Sequence, residues 1–136
     1  MTTQKDDRQK VETTINNTVS WAVTKDFDLL YSIIADDPRY LEIHPEANVV
    51  KGIDEFKKME KFWKSDDFKA IGHEISDLEI SFSYSKDVAW FYCMLNDINE
   101  WKGKSSSWMD TRWTGVLEKI DGNWRMMQMH FSMATE

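Results

Sequence analysis

The chain has 136 residues, 41% of them hydrophobic and 30% charged, with a formal net charge of −7 at pH 7. Length and composition describe one ordinary domain with enough apolar residues for a real core, and exclude a disordered or a membrane-embedded chain. With an acidic balance and no basic cluster longer than the Lys57-Lys58 pair, nucleic acid and anionic membranes are poor candidate partners.

Seven Trp, seven Phe and four Tyr are more aromatic residues than a domain this small easily hides, which points to a cavity or a partner surface. Cys93 stands alone, so an internal disulfide and a zinc–cysteine cluster are excluded, and a reducing compartment fits. The opening MTTQKDDRQK lacks the apolar core of a signal peptide, and no apolar run approaches the roughly 20 residues that span a bilayer. A soluble, cytoplasmic protein is expected, with residues 1–8 as a flexible start to a single domain over 1–136.

The first third has helical periodicity. Val11, Ile15, Val19, Ala22 and Val23 recur at steps of three and four and form one apolar stripe. Asp26 is placed to cap a second helix through Phe27, Leu30, Ile33 and Ile34, which must stop near Asp37-Pro38 because the residue before a proline disfavours helical geometry. Arg39 to His44 reads as extended and ends at Pro45. Gly52 precedes a third helix carrying Ile53, Phe56, Met59, Phe62 and Trp63 on one side.

From about residue 74 the period becomes two. Leu78, Ile80 and Phe82 alternate with Glu79, Ser81 and Ser83, and three further strands follow in VAWFYCMLN, SWMDTRWTGVLEK and WRMMQMHFS. Helices followed by an antiparallel meander make an α+β pattern.

Pairing the strands predicts which side chains share a face. A turn at Ser85-Lys86 sets Phe82 opposite Ala89, Ile80 opposite Phe91 and Leu78 opposite Cys93, an apolar and therefore inward face. Pairing Trp101 with Ser105 puts Cys93 opposite Trp113 and Phe91 opposite Gly115, where a missing side chain leaves room. A glycine-bulge turn over Ile120-Asp121-Gly122 pairs Lys119 with Asn123, and sets Arg112 opposite His130, Thr114 opposite Gln128 and Val116 opposite Met126. Trp113, Gly115, Leu117, Met127, Met129 and Phe131 then point inward. Trp90, Tyr92, Met94, Arg112, Gln128, His130 and Ser132 share the outer face, whose mixture of aromatic residues, Met and Arg is that of an interface. A homodimer through this face is expected.

The C-terminal pattern of Arg112, Thr114, Val116, Asp121, Gly122, Trp124, His130 and Ser132, together with KDVAW at 86–90 and GIDEFKKMEKFW at 52–63, resembles the SnoaL-like branch of the nuclear transport factor 2-like superfamily. The C-terminal strands are also similar to the association domain of calcium/calmodulin-dependent kinases. The resemblance implies a cone-shaped α+β roll of the cystatin-like kind, with N-terminal helices packed on a curved antiparallel sheet and a pocket at the wide end. It also implies dimers through the sheet. Members include isomerases, cyclases, dehydratases, ligand binders and oligomerisation modules, so the fold does not fix the activity.

Against that background the candidate groups can be weighed. His130 and Ser132 are two residues apart on a strand, so their side chains lie about 7 Å apart, too far for a Ser–His nucleophile pair, and no G-x-S-x-G elbow is present. His44, His73 and His130 are widely separated without H-x-H or H-x-x-x-H spacing, and no metal or cofactor is implied. By resemblance, the acid–base candidates are Asp36 (beside Asp37), Tyr40, His44 and Asp97, because an apolar wall raises a carboxyl group's pKa into a useful range. Each also has a plain structural reading as a helix-ending turn or a solvated strand end. Trp63, Phe91, Trp113, Met127 and Met129 are candidate walls for a flat hydrophobic ligand, or simply core. Two functions are expected to compete: a small-molecule pocket protein, either a binder or a cofactor-independent lyase or isomerase acting on a hydrophobic carbonyl compound, and a non-catalytic association module.

Overall fold

The computed structural model describes residues 4–135. Helix α1 (Gln4–Thr24) places Val11 and Ile15 in the core with no exposure, followed along the same face by Thr18, Trp21 and Ala22. It begins within the stretch expected to be a flexible start, and its first turns are tied down. Asp7 accepts from the Trp124 indole at 3.1 Å and pairs with Lys119 at 3.3 Å, while Arg8 donates to the Ile80 carbonyl at 3.3 Å. Residues 1–3 lie outside the described residues.

Asp26 caps helix α2 (Phe27–Ile33), accepting from the Leu29 N–H at 3.1 Å. The helix ends before the expected Asp37-Pro38. Ile34 turns extended to form a parallel bridge with Met126, and the Ala35 N–H donates to the Met126 carbonyl at 3.0 Å. The expected third helix is two short ones, α3 (Ile53–Lys58) and α4 (Glu60–Lys64), broken at Met59. The break lets Phe56 bury in the core while Trp63 tilts against both Phe56 and Trp21.

The strands are β1 (Leu41–Ile43), β2 (Val49–Lys51), β3 (Phe68–Phe82), β4 (Val88–Trp101), β5 (Lys104–Ser105), β6 (Trp108–Ile120) and β7 (Asn123–Met133). They form one sheet in the order β2-β1-β7-β6-β4-β3, with β5 paired to β4. All neighbours are antiparallel except β1 and β7. The long strands β3, β4, β6 and β7 curl around α1, and their irregularities provide the bending, since an extra residue on one strand kinks it and sharpens its twist.

Those irregularities also revise the expected register. Phe82 faces Ala89 and Ile80 faces Phe91, but Asp77 and Leu78 form a bulge, so Leu78 is not the partner of Cys93. At the next hairpin Trp101 pairs with Lys104 rather than Ser105. An extra residue at Met109-Asp110 restores the register, and Cys93 still faces Trp113 and Phe91 still faces Gly115. The last hairpin turns tightly at Asp121-Gly122, both with positive φ (51° and 82°), so Ile120 pairs with Asn123. A further bulge at Met127 brings the total displacement to two residues. Arg112 therefore faces Ser132, Thr114 faces His130 and Val116 faces Gln128, with the sides of the sheet unchanged for these residues. Met126, expected on the outer face, is instead wholly buried, and Met127 is the half-buried, unpaired residue of the bulge.

Candidate functional site

Beside the packed core, the sheet and the helices leave a cavity of about 470 Å³, within the range of roughly 300–1,000 Å³ common for small-molecule sites. Helix α1 contributes Thr18, Trp21 and Ala22 to it, and the broken α3–α4 pair contributes Phe56, Met59, Phe62 and Trp63. The sheet adds Phe68, Trp108, Met129 and Phe131. Trp21 and Trp63 meet edge-on with centroids 5.1 Å apart, and Trp108 leans on Phe131 at 5.0 Å. Each ring is thereby fixed by another, which makes rigid apolar walls.

The polar groups come from two places. The first is β1 and the residues flanking it. The strand alternates, so Leu41 and Ile43 face outward while Tyr40, Glu42 and His44 face inward. The fully buried Tyr40 hydroxyl donates to Glu42 Oε1 at 2.6 Å, and Glu42 Oε2 lies 2.5 Å from His44 Nε2. Burial, and then the Glu42 carboxylate, raise the Tyr40 phenol well above its ordinary pKa and keep it a donor. On the other side of the ring, His44 Nδ1 lies 3.3 Å from the Asn48 amide nitrogen. An amide N–H donating there leaves Nδ1 the basic nitrogen and puts the imidazole proton on Nε2, toward Glu42. Trp108 packs edge-on against the imidazole at 5.1 Å.

The second place is the end of β4, where Asp97 and Asn99 continue the inward face beyond Leu95 and border the cavity. Desolvation raises the Asp97 carboxyl above its usual range, and a hydrogen bond from Asn99 and the charge of His73 offset this only in part. His73 is the cross-strand neighbour of Asp97, and its ring bonds Asn16 of α1 at 2.8 Å.

Of the four acid–base candidates, His44 and Asp97 border the cavity. Tyr40 stands behind Glu42 as its hydrogen-bond donor. Asp36 is exposed outside the cavity, and its neighbour Asp37 is held down to about 2 by the Arg39 guanidinium at 2.9 Å. Of the five candidate wall residues, Trp63 and Met129 line the cavity. Phe91 and Trp113 do not, because they pack edge-on against each other at 5.0 Å inside the core. The room above Gly115 is filled by the Phe91 ring itself: a β-carbon there would stand 2.6 Å from Phe91 Cε1. Met127 is displaced from the wall by its bulge, and Met126 and Met129 take the inward positions.

Glu42, Asn48, Asn99 and Trp108 are the site residues that sequence reasoning missed. The alternation Tyr40-Leu41-Glu42-Ile43-His44 carried the signal for Glu42, since it sets three polar residues on one side of a short strand.

The outer face carries Trp90, which is 47% exposed, beside the half-buried Tyr92 and Met94. Arg112, Gln128 and His130 are exposed on the same side and Ser132 is half-buried there. Arg112 donates to the Met133 carbonyl at 3.3 Å. Among the described residues no group of three or more His, Cys, Asp or Glu is arranged to hold a metal ion. No helix among them is long and apolar enough to cross a membrane.

A family model described as a SnoaL-like domain matches residues 11–136. No curated protein matches the sequence. Among solved structures, a candidate dehydratase of the NTF2-like family from Streptomyces avermitilis superposes with a TM-score of 0.79 at 18% identity, over 98% of this chain and 100% of that one. A type 2 hexachlorocyclohexane dehydrochlorinase gives 0.78 at 16% identity, over 96% and 86% of the two chains. A candidate calcium/calmodulin-dependent kinase II association domain from Exiguobacterium sibiricum gives 0.78 at 7% identity, over 100% and 98%. At these identities the likeness is one of fold, the NTF2-like α+β roll.

Proposed function

The chain belongs to the SnoaL-like domain family, and from that premise we propose that its cavity binds a small hydrophobic carbonyl compound and moves a proton on it without a cofactor, as a lyase or isomerase. The observation that carries this reading is the hydrogen-bonded series Tyr40–Glu42–His44, which ends at the cavity. A buried carboxylate that fixes one imidazole nitrogen makes the other a positioned base.

His44 Nδ1 takes the proton α to the carbonyl, and Glu42 stabilises the imidazolium that forms. The C–H electron pair becomes the double bond of an enolate. The imidazolium then returns its proton to another carbon, which isomerises the substrate, or to a departing hydroxyl group, which eliminates water. Asn48, which pairs with Nδ1, is exposed, and the substrate takes its place. Asp97 and Asn99 supply the polar anchors at the β4 side. Two of the structural neighbours are described as a candidate dehydratase and a dehydrochlorinase, both elimination catalysts by name, which is in keeping with this chemistry.

The test requires no knowledge of the overall reaction. The protein is incubated in D2O with a panel of aryl and alkyl ketones and aldehydes, and α-deuteration is followed by NMR. At least one compound should exchange faster than in buffer, and His44→Ala should abolish the excess. Compounds that bind but never exchange would leave a binder and remove the enzyme.

A second reading concerns assembly. Trp90, with Tyr92, Met94 and Val116 around it, forms an apolar outer face, which favours a homodimer through the sheet. One neighbour is described as an association domain candidate. Assembly through this face is compatible with the cavity, whose sheet residues lie on the opposite, inward side. As an expectation, neither nucleic acid nor membrane enters as a partner.

A further inference from the structure

The charge of the cavity narrows its ligand. Its carboxyl-bearing side chains are Glu42, Glu46 and Asp97, and among the described residues no Lys or Arg lines it. Lys25, which follows α1, and Lys64, the last residue of α4, are engaged elsewhere. Lys25 donates to the Ser65 carbonyl at 2.8 Å, and Lys64 pairs with Glu60 at 3.1 Å and lies over the Phe27 ring. An organic acid, a phosphate ester or an acyl-thioester carrier would enter a site whose one basic side chain among the described residues is His44, already paired with Glu42, and desolvating an unpaired charge is costly.

The other surfaces favour the opposite sign. Aromatic faces attract cations through the ring quadrupole, and a cage of such rings is a common way to hold an ammonium group. Here Trp21, Trp63, Trp108 and Phe131 provide the rings, with Phe62 at 45% exposure bordering the opening. The carboxyl groups are not equally free. Glu42 is committed to Tyr40 and His44. Among the described residues, the groups that act on Asp97 are the Asn99 side chain and its cross-strand neighbour His73, whose ring is itself committed to Asn16. Glu46 is exposed and keeps its water, so Asp97 is, of the two carboxyl groups that are not exposed, the one with most to gain from a counter-charge brought in by the ligand.

We infer that the ligand of this cavity is a hydrophobic amine or quaternary ammonium compound, its cationic group held at Asp97 among the aromatic walls and its apolar body between α1 and the α3–α4 pair. This rests on the reading of the cavity as a ligand site and narrows it: the carbonyl compound bears a basic nitrogen. Asp97 is then an anchor for charge, and the proton transfer falls to His44 alone.

Three probes of one shape and different charge test this: 4-phenylbutylamine, 4-phenylbutan-1-ol and 4-phenylbutyrate. Each is titrated into the intact chain at pH 7, following tryptophan fluorescence, since Trp21, Trp63 and Trp108 line the cavity. The amine should bind about tenfold or more tighter than the carboxylate, with the alcohol between them. Asp97→Asn should weaken the amine by about fivefold or more while leaving the alcohol within about twofold. That variant removes one of 24 acidic residues, so it scarcely alters the chain's general attraction for cations. A carboxylate that binds as tightly as the amine would overturn the inference and leave the cavity reading standing, as would an Asp97→Asn variant that weakens all three alike. Failure of all three probes to bind would remove the cavity reading and the inference together.

Discussion

The Nε2 of His44 lies 2.5 Å from Oε2 of Glu42, with both side chains on the inward side of the β1 segment. The pair is held from behind by the Tyr40 hydroxyl, so the imidazole cannot turn without breaking a buried, charge-assisted hydrogen bond. Glu42→Gln keeps the shape and an acceptor for Tyr40 but removes the charge that stabilises an imidazolium. The expected outcome is a loss of about 100-fold in proton-transfer rate, since positioned acid–base groups contribute about 10²–10⁴-fold. Deuterium wash-in rates measure it, and probe affinity should stay unchanged. Equal exchange rates in the variant and the parent would remove Glu42 from the mechanism.

Asp97 contributes to stability with the opposite sign from a salt-bridged carboxylate. Desolvation raises its folded-state pKa above the ordinary 3.8, so the folded chain binds its proton more tightly than the unfolded chain. Stability from this group is therefore fully present below the ordinary value and is lost as pH rises through the folded-state value. Asp97→Asn should raise the thermal midpoint at pH 7, with the gain shrinking toward zero as pH falls below about 4. Thermal unfolding followed by circular dichroism across that range measures it. A variant less stable than the parent at pH 7 would mean that Asp97 is well paired in the folded state. Stabilisation combined with loss of amine binding would be a functional group retained at a cost to the fold.

The contrast between these two residues also marks what the sequence makes legible. Asp97 is a candidate in the sequence because the alternation of β4 carries past Leu95, and burial along an antiparallel strand follows local period two. Around Glu42 the alternation of residues 40–44 is present but short, because β1 is three residues long and its burial comes from parallel pairing with β7, where Ile43 meets His130 and Leu41 meets Gln128. The alternation sets three polar residues on one side, and nothing near residue 42 announces a partner so distant in sequence.

The bulges explain the remaining differences. Those at Asp77 and Asp110 use aspartates with φ of 57° and 52° instead of the glycine that usually marks such positions. Aspartate tolerates that region but is too common to signal it. The bulge at Met127 has no marker at all: the tighter turn sets Met126 inward opposite Leu117, and the bulge then leaves Met127 unpaired and returns Met129 to the inward face opposite Gly115. The distant pairs Phe91–Gly115 and Cys93–Trp113 were nonetheless legible, because apolar positions had to meet apolar positions and the hairpin offset was cancelled before them.

Gly115 makes a packing prediction independent of any ligand. A β-carbon there would meet Phe91 Cε1 at 2.6 Å and the Gln128 carbonyl oxygen at 2.8 Å, and only the ring is able to move. The ring is boxed in by Trp113. Gly115→Ala should destabilise the fold by about 1–3 kcal/mol, the usual cost of overpacking a filled core, measured by urea unfolding. A neutral result would show that the Phe91 ring has room to retreat.

The outer face makes the last prediction. Trp90 is 47% exposed, with Val116 opposite it on β6 and Ser81 opposite it on β3, while Tyr92 and Met94 follow along its strand. An isolated surface tryptophan is ordinary, but four large apolar side chains on adjoining positions of one sheet face favour a partner. In a two-fold dimer through this face, Trp90 of each copy lies within one self-complementary patch. Trp90→Glu should then bring two unpaired carboxylates into the interface and dissociate the assembly at low micromolar concentration, because a buried unpaired charge costs about 3–5 kcal/mol. Arg112→Glu, farther along the same face, should weaken it in the same direction. Sedimentation velocity reads the mass, and ligand titration on the dissociated chain reads the cavity, whose lining lies on the inward side. A Trp90→Glu variant that remains dimeric would move the interface off this face. A monomeric variant with intact probe binding would separate assembly from the cavity.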